Sequence, residues 1–316
     1  MEKLNLPKIS IITPTFNRKK LLLRLWDSLK NQKFSNFEWI ILDDGSTDNT
    51  KDEIKKLNDQ RIKYYKQPNK GVNAARLEAE TKIDIQSKYV IYIDSDDAFY
   101  NNNTILEMYN YILNTDKSIS SVIFSSVDGN SGEQISIIPD KIERIKYIDS
   151  LIGRKFSGDA IAIQKIETLN DAFWPKNISG CEFLRHWELN KKYDFLSVNK
   201  NGKKYFRDRN DNLTSPGMTV KRSKSIINGM DLAIKLFGDD LIKYARNRYS
   251  SFLFSIIIYS SFCEEKRLTI KRIFSSFGYI NFKHKSLSTI LFFILIFPKT
   301  FIIRVYLLLS KLKYQN

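Results

Sequence analysis

Within the first hundred residues, four short runs rich in β-branched and aromatic side chains alternate with segments whose apolar residues recur at helical spacing. The runs are "KISIITP", "FEWIILDD", "RIKYYKQ" and "KYVIYID". A helix between two strands returns the chain to the edge it left, so this alternation predicts a mostly parallel sheet flanked by helices. The spacing places a strand from Ile9 to Thr13, ended by Pro14 because proline cannot donate to a central ladder. "KKLLLRLWDSLKNQ" follows as a helix, then a strand from Glu38 to Leu42 and a helix capped by Ser46 or Thr47. "GVNAARLEAETK" is the helix between the third and fourth strands. Ligands of such sheets bind outside the carboxyl ends of the strands. Here those ends deliver Pro14-Thr15-Phe16-Asn17-Arg18, then Asp43-Asp44-Gly45, then Asp94-Ser95-Asp96-Asp97.

After Tyr100 the pattern loosens. A hairpin is expected around Asp128-Gly129-Asn130, and "KFSGDAIAIQK" holds a further strand. From Phe173 an aromatic opening, a glycine and an acid lead into a helix, then a strand and the basic loop "YFRDRNDN". The 316 residues, 42% hydrophobic and 27% charged, suit one large folded domain with an appendage. Two cysteines, Cys181 and Cys263, supply neither a disulfide framework nor a metal-binding spacing. No charged-then-apolar leader opens the sequence, so a cytoplasmic catalytic part is expected.

The charge is lopsided. From Lys221 onward 17 Lys+Arg face 5 Asp+Glu, which is +12 of the total +16. "LIKYARNRYSSFLFSIIIYSSFCEEKR" is expected as one long apolar-centred helix with basic ends. Residues 289–309 form a second apolar stretch, about 31 Å long as a helix and close to a bilayer's hydrocarbon thickness. Pro298, Lys299 and Arg304 interrupt it, so lying in the interface is favoured over spanning. An anionic membrane surface thus explains the charge. Nucleic acid does not, because long apolar runs separate the basic residues and no nucleic-acid-binding motif is present.

Carboxylates grouped as closely as Asp94, Asp96 and Asp97 repel unless a cation or protons intervene. A turn without His or Cys favours a hard ion, Mg²⁺ or Mn²⁺, whose open positions are commonly filled by substrate phosphates. Each feature alone has a plainer reading. Asp43-Asp44-Gly45 fits a turn and helix cap, Asp94 to Asp97 a solvated helix start, Pro14-Thr15 a strand terminator and Arg76 a helix-surface charge. Their joint occurrence at successive strand ends favours one site.

Taken together, "IITPTFNR", "WIILDDGSTDNT", "GVNAAR" and "YIDSDD" resemble the ordered signature of the family 2 glycosyltransferases, closely over residues 8–100, and Phe173 to Thr214 is similar to that family's acceptor half. The resemblance implies a GT-A fold over 1–215, with a nucleotide-binding half over 1–100 and an acceptor half over 101–215. A basic, helical, membrane-associating tail follows over 216–316. It implies a nucleotide-sugar site at Pro14, Thr15, Asp43, Asp44, Arg76, Asp94, Ser95 and Arg207, with Thr15 and Asp44 at the base of a UDP-like donor. Asp94 and Asp96 match the DXD motif that holds Mn²⁺ or Mg²⁺, Asp96 being the principal ligand, and Asp97 extends it. Glu182 falls where the family places a general base, with Asp159 as a rival. The implied activity is metal-dependent, inverting transfer of a sugar to a glycan or a polyprenyl-diphosphate-linked acceptor at the cytoplasmic face of the membrane; the alternative is a noncatalytic scaffold of the same fold. Two departures are Leu77, where the family often has Asn, and Gly180-Cys181-Glu182, where a paired acid is more usual. Arg209 rivals Arg207 as a phosphate contact. His186, Trp174 and Trp187 read as packing or surface residues.

The tail gives a direct test. The full chain should float with anionic liposomes and a chain ending near Ser215 should not; equal soluble behaviour of both would contradict the expectation.

Overall fold

The computed structural model describes residues 8–137, 140–153, 155–156, 158–176, 178, 180–206 and 220–263, with positions 270, 271, 274 and 278. The chain divides into two compact units, Met1–Asn177 with Glu182–Arg209, and Ile178–Cys181 with Asn210–Asn316. The first unit runs β1 (Lys8–Thr15), α1 (Lys19–Leu29), β2 (Phe37–Asp43), α2 (Thr50–Lys55), β3 (Ile62–Lys66), α3 (Val72–Glu80), β4 (Ser87–Tyr92) and β5 (Ala98–Phe99). It continues through α4 (Thr104–Leu113), β6 (Ile119–Asp128), β7 (Glu143–Ile145), α5 (Tyr147–Ile152), β8 (Ala160–Lys165), a 3-10 turn (Ile166–Asp171), α6 (Phe183–Lys192) and β9 (Asp194–Tyr205). The described strands form one sheet in the order β3-β2-β1-β4-β8-β6-β9-β5, with β7 alongside β9.

The first four strands pair in parallel, as their helical connections require. Antiparallel pairs enter where the connections become irregular, at β4 with β8, β8 with β6, and β9 with β5 and β7. The sheet is therefore mixed. Both faces of β1 and β2 are buried, which is why these strands are nearly continuous apolar runs, while β3 at the sheet edge is only partly covered. On one face Ile9, Ile11, Trp39 and Ile41 meet Leu22, Leu25, Trp26 and Leu29 of α1 and Met108 of α4. On the other, Ile12, Ile40, Leu42 and Val90 meet Ala75 and Ala79 of α3. The four α1 residues recur at i, i+3, i+4 and i+7, one face of a helix. Burying each is worth about 1.5–3 kcal/mol.

Three local expectations are corrected. β1 passes through Pro14 to Thr15, because its ladder to β4 ends at Ile12 and only β2 runs beside the proline. Helix α2 begins at Thr50, with neither Ser46 nor Thr47 as its cap; Asp48 Oδ1 accepts the Thr50 amide, while Ser46 Oγ accepts the amide of Asn17. The expected long apolar helix is two, α7 (Val220–Tyr244) and α8 (Arg246–Phe262), divided at Ala245. Around Asp128 the chain does turn back, but with a single bridge from Val127 to Gln134 in place of a returning strand.

In the second unit α7 passes so close to Cys181 that a Cβ at Gly229 would lie 2.1 Å from the sulfur, which explains a glycine in mid-helix. Among the described residues no helix is long and apolar enough to cross a membrane. The 289–309 stretch lies outside the described residues.

Two half-buried phenols make the first unit sensitive to alkali. Tyr64 donates to Asp43 and Tyr92 to Glu80. Burial first, and the facing carboxylate second, raise both hydroxyls above their ordinary value of 10.0. The unfolded chain therefore releases these protons at a pH where the folded chain keeps them, and stability falls as pH rises beyond about 10. The urea midpoint should drop between about pH 9 and 11, with a shallower drop in Tyr92→Phe. A flat midpoint in the unaltered chain would contradict this.

Candidate active site

The carboxyl ends of β1 and β2 are knitted together before any ligand is considered. Asn17, at φ 53°, donates its amide to Ser46 Oγ (2.8 Å) and accepts the Thr47 amide on Oδ1 (2.7 Å). Asp43 Oδ1 accepts the Ser46 amide at 2.6 Å, and Oδ2 faces Tyr64. Asp44 is buried, and its oxygens accept Gln67 Nε2 (2.7 Å) and the amides of Lys70 (2.8 Å) and Gly71 (2.7 Å). The last of these precedes α3, so Asp44 sits as an anion at a helix N-terminus, where it is favoured. Gly45, at φ +94°, lets this turn approach Asn69, whose amide would lie 3.1 Å from an added Cβ. Pro14 lies opposite Leu42 in the ladder. Thr15 is buried, and among the described residues its hydroxyl has no hydrogen-bond partner, a polar atom left for something outside the protein.

The acidic turn after β4 gives each aspartate its own cation. Arg76 Nη2 lies 2.7 Å from Asp94, Arg18 Nη1 2.9 Å from Asp96, and Lys203 Nζ 2.5 Å from Asp97. Ser95 is buried, its hydroxyl 3.5 Å from Arg18. Burial opposes the charge on Asp94, but Arg76, Lys203 and Arg18 outweigh it and hold the carboxyl below its ordinary value. At Asp96 burial prevails over Arg18 and the carboxyl is raised. At Asp97 burial also prevails, against the pull of Lys203.

Two of these cations reach further. The second arm of Arg76 lies 3.0 Å from Glu182 at the start of α6, so one guanidinium from α3 joins Asp94 to the expected base. Burial works against the Arg76 charge, and the two carboxylates together raise its pKa above the ordinary value. The guanidinium packs over Trp174, 5.3 Å from the ring centre, and Arg185 packs over the same ring at 4.6 Å. Lys203 meets Asp159 at 2.7 Å, and Ser126 donates to the same Asp159 oxygen at 2.8 Å. The two rival acids are thus held apart by their partners, Glu182 on Arg76 and Asp159 on Lys203.

Sequence reasoning missed Lys203. Its signal was faint: a lysine at a buried position of an alternating strand, where a charge requires a counter-charge. Trp174 and Trp187 are buried, Trp174 donating its indole to Glu80 at 2.6 Å and Trp187 lying edge-on to Phe183. His186 is exposed, edge-on to Phe195. Arg207 and Arg209 lie outside the described residues.

The resemblance implies a divalent ion, and the donors present suit one. Asp94 and Asp96 offer only hard carboxylate oxygens. Among the described residues no three metal-binding side chains are gathered into a cage. Those donors fit an ion shared with a substrate's phosphates, the usual arrangement for Mg²⁺.

Arg76→Met keeps the packing on Trp174 and leaves Asp94 and Glu182 without their shared cation. Urea unfolding should show a loss of about 2–4 kcal/mol. A loss below about 0.5 kcal/mol, within the range of ordinary surface substitutions, would show that the bridge holds nothing together.

Comparison with known proteins identifies the family and the fold. Residues 10–165 match the profile described as glycosyl transferase family 2. A Campylobacter jejuni protein named GalNAc(5)-diNAcBac-PP-undecaprenol beta-1,3-glucosyltransferase is 30% identical over 223 residues, which cover 66% of this chain and 68% of that protein. An uncharacterized glycosyltransferase of Haemophilus influenzae is 31% identical over 51% of this chain, and the match spans 64% of its own length. The chain spans smaller parts of other relatives, 20% of a Rickettsia bellii glycosyltransferase for example. In fold, the chain resembles Staphylococcus aureus TarS 1–349 in complex with UDP-GlcNAc, with TM-score 0.58, 17% identity, and coverage of 89% of this chain and 83% of that one. It also resembles the Pyrobaculum calidifontis mannosyltransferase PcManGT in complex with GDP-Man and Mn²⁺, with TM-score 0.53, 12% identity, and coverage of 95% and 86%. By the profile, and by a 30% identical relative matched over 68% of its length, the chain belongs to glycosyl transferase family 2.

Proposed function

We propose that the protein transfers a sugar, with inversion, from a UDP-sugar to a glycan or a polyprenyl-diphosphate-linked acceptor. The observation that carries this is the Arg76 bridge, which places an acceptor-half carboxylate, Glu182, beside the donor-side Asp94. Support for a lipid-linked acceptor comes from the name of the Campylobacter jejuni relative, and for a UDP donor from the TarS complex. The basic tail supports a site at the cytoplasmic face of a membrane.

The donor's base lies at the ends of β1 and β2, where Thr15 offers its unpartnered hydroxyl beside Asp43 and Asp44. Asp94 and Asp96 would hold Mn²⁺ or Mg²⁺, which would supply stabilisation of negative charge on the departing diphosphate. The acceptor hydroxyl oxygen bonds to the anomeric carbon as the bond from that carbon to the diphosphate oxygen breaks. Attack from the opposite face inverts the centre. Glu182 takes the hydroxyl proton; Arg76 engages its Oε1, leaving the other oxygen for the acceptor. Asp159 has its Oδ2 engaged by Lys203 and Ser126, away from the Arg76 bridge, so Glu182 is the better base.

A screen of nucleotide-sugars for Mn²⁺- or Mg²⁺-dependent nucleotide release, with and without a polyprenyl-diphosphate-linked acceptor, tests the reading. Asp96→Ala should abolish release in a folded protein. Glu182→Gln should lower kcat by about 10² to 10⁴ while leaving UDP affinity unchanged. A Glu182→Gln variant at full rate would transfer the role of base elsewhere.

A further inference from the structure

The three cations of the acidic turn are not held alike. Arg76 is 9% exposed, with Glu182 as its second carboxylate and Trp174 beneath it. Lys203 is 6% exposed, with Asp159 as its second carboxylate. Arg18 is 19% exposed, and among the described residues its other contact is the Ser95 hydroxyl at 3.5 Å, the outer limit of a hydrogen bond. It also belongs to the β1–α1 turn, where its side chain is not part of a cap. Removing Arg76 or Lys203 from its aspartate breaks two ion pairs in a buried setting, while removing Arg18 breaks one that solvent already reaches.

We propose that Arg18 is an exchangeable counter-ion: a divalent cation takes the Asp96 carboxylate by displacing the Arg18 guanidinium, while Arg76 and Lys203 stay in place. This rests on the reading of Asp96 as a metal ligand. The exchange has a physical logic. Asp96 stands between two other aspartates in the turn, and a bare carboxylate crowded by like charge is disfavoured. Arg18 keeps the charge compensated until an ion arrives, and yields because it is the least anchored of the three. Since ion and guanidinium compete for the same oxygens, the Arg18 pair must weaken ion binding by its own strength. For a partly exposed pair that is about three- to tenfold, equivalent to about 0.7–1.4 kcal/mol.

Mn²⁺ titration of the full chain, followed by electron paramagnetic resonance with and without UDP, tests this, with thermal melts to confirm folding. Arg18→Gln should bind Mn²⁺ about three- to tenfold tighter than the unaltered chain. Arg24→Gln is the control for simple loss of charge. Arg24, within α1, donates to the Asp96 carbonyl at 2.5 Å, so this variant removes an equal charge from beside the acidic turn and leaves the Asp96 carboxylate pair with Arg18 intact. Its Mn²⁺ affinity should stay within about twofold of the unaltered chain, and Asp96→Asn should bind no ion. Equal or weaker binding in Arg18→Gln, or equal tightening in both arginine variants, would overturn the exchange. Failure of the unaltered chain to bind Mn²⁺ even with UDP would overturn the metal reading itself, and the exchange with it.

Discussion

Three carboxylates within four residues at the end of a buried strand repel one another, and the architecture of this sheet edge follows from how that repulsion is met. The remedy is one cation per acid, each from a different part of the chain: Arg76 from α3, Arg18 from the β1–α1 turn, and Lys203 from β9. Each pair also fastens its element to the turn. The acidic turn is thus a junction at which the parallel half of the sheet, the helix beside it and the mixed half are joined by charge. Hydrophobic burial supplies the bulk of the fold's stability, but it is indifferent to direction. The ion pairs fix where the acidic turn sits.

Much of this was legible before any coordinates. The four parallel strands follow from apolar runs alternating with helices, and the gathering of Thr15, Asp44 and Asp94 on one edge follows from topology alone. Other features depended on contacts that spacing does not encode. Pro14 read as a strand end because a proline lacks a donor, yet the neighbouring strand stops two residues earlier and the ladder loses nothing there. Ser46 read as a helix cap because of its type and place; in the fold its hydroxyl is taken by Asn17, from a turn 29 residues away. Ala245 carries no breaker signal, and the two helices that meet there read as one apolar segment. Lys203 was invisible because the need for a buried lysine lies in its partners, 106 and 44 positions upstream.

The same contrast divides the candidate bases. By sequence, Glu182 leads because of where the resemblance places a base, and Asp159 is a rival acid in the same half of the domain. In the fold they belong to different circuits. Glu182 shares a guanidinium with the donor side, while Asp159 shares an ammonium with Asp97 and helps to close a buried cluster. A residue's neighbours, more than its type, decide whether it is available for proton transfer.

Helix α3 carries two of its long-range contacts, those of Arg76 and Glu80, on one side. Arg76 and Glu80 are four residues apart; the first reaches Asp94 and Glu182, the second accepts from Trp174 and Arg185. At its beginning, the Gly71 amide is held by Asp44. A rod of nine residues is about 13 Å long and too short to bend appreciably. It works as a strut: a movement of its footing at Asp44 is delivered undamped to Arg76 and Glu80 together. Loss of activity after substitution at Asp44 is therefore ambiguous in kind, since the same change that removes a carboxylate from the turn after β2 also loosens the mounting of Arg76 and Glu80 further along the helix.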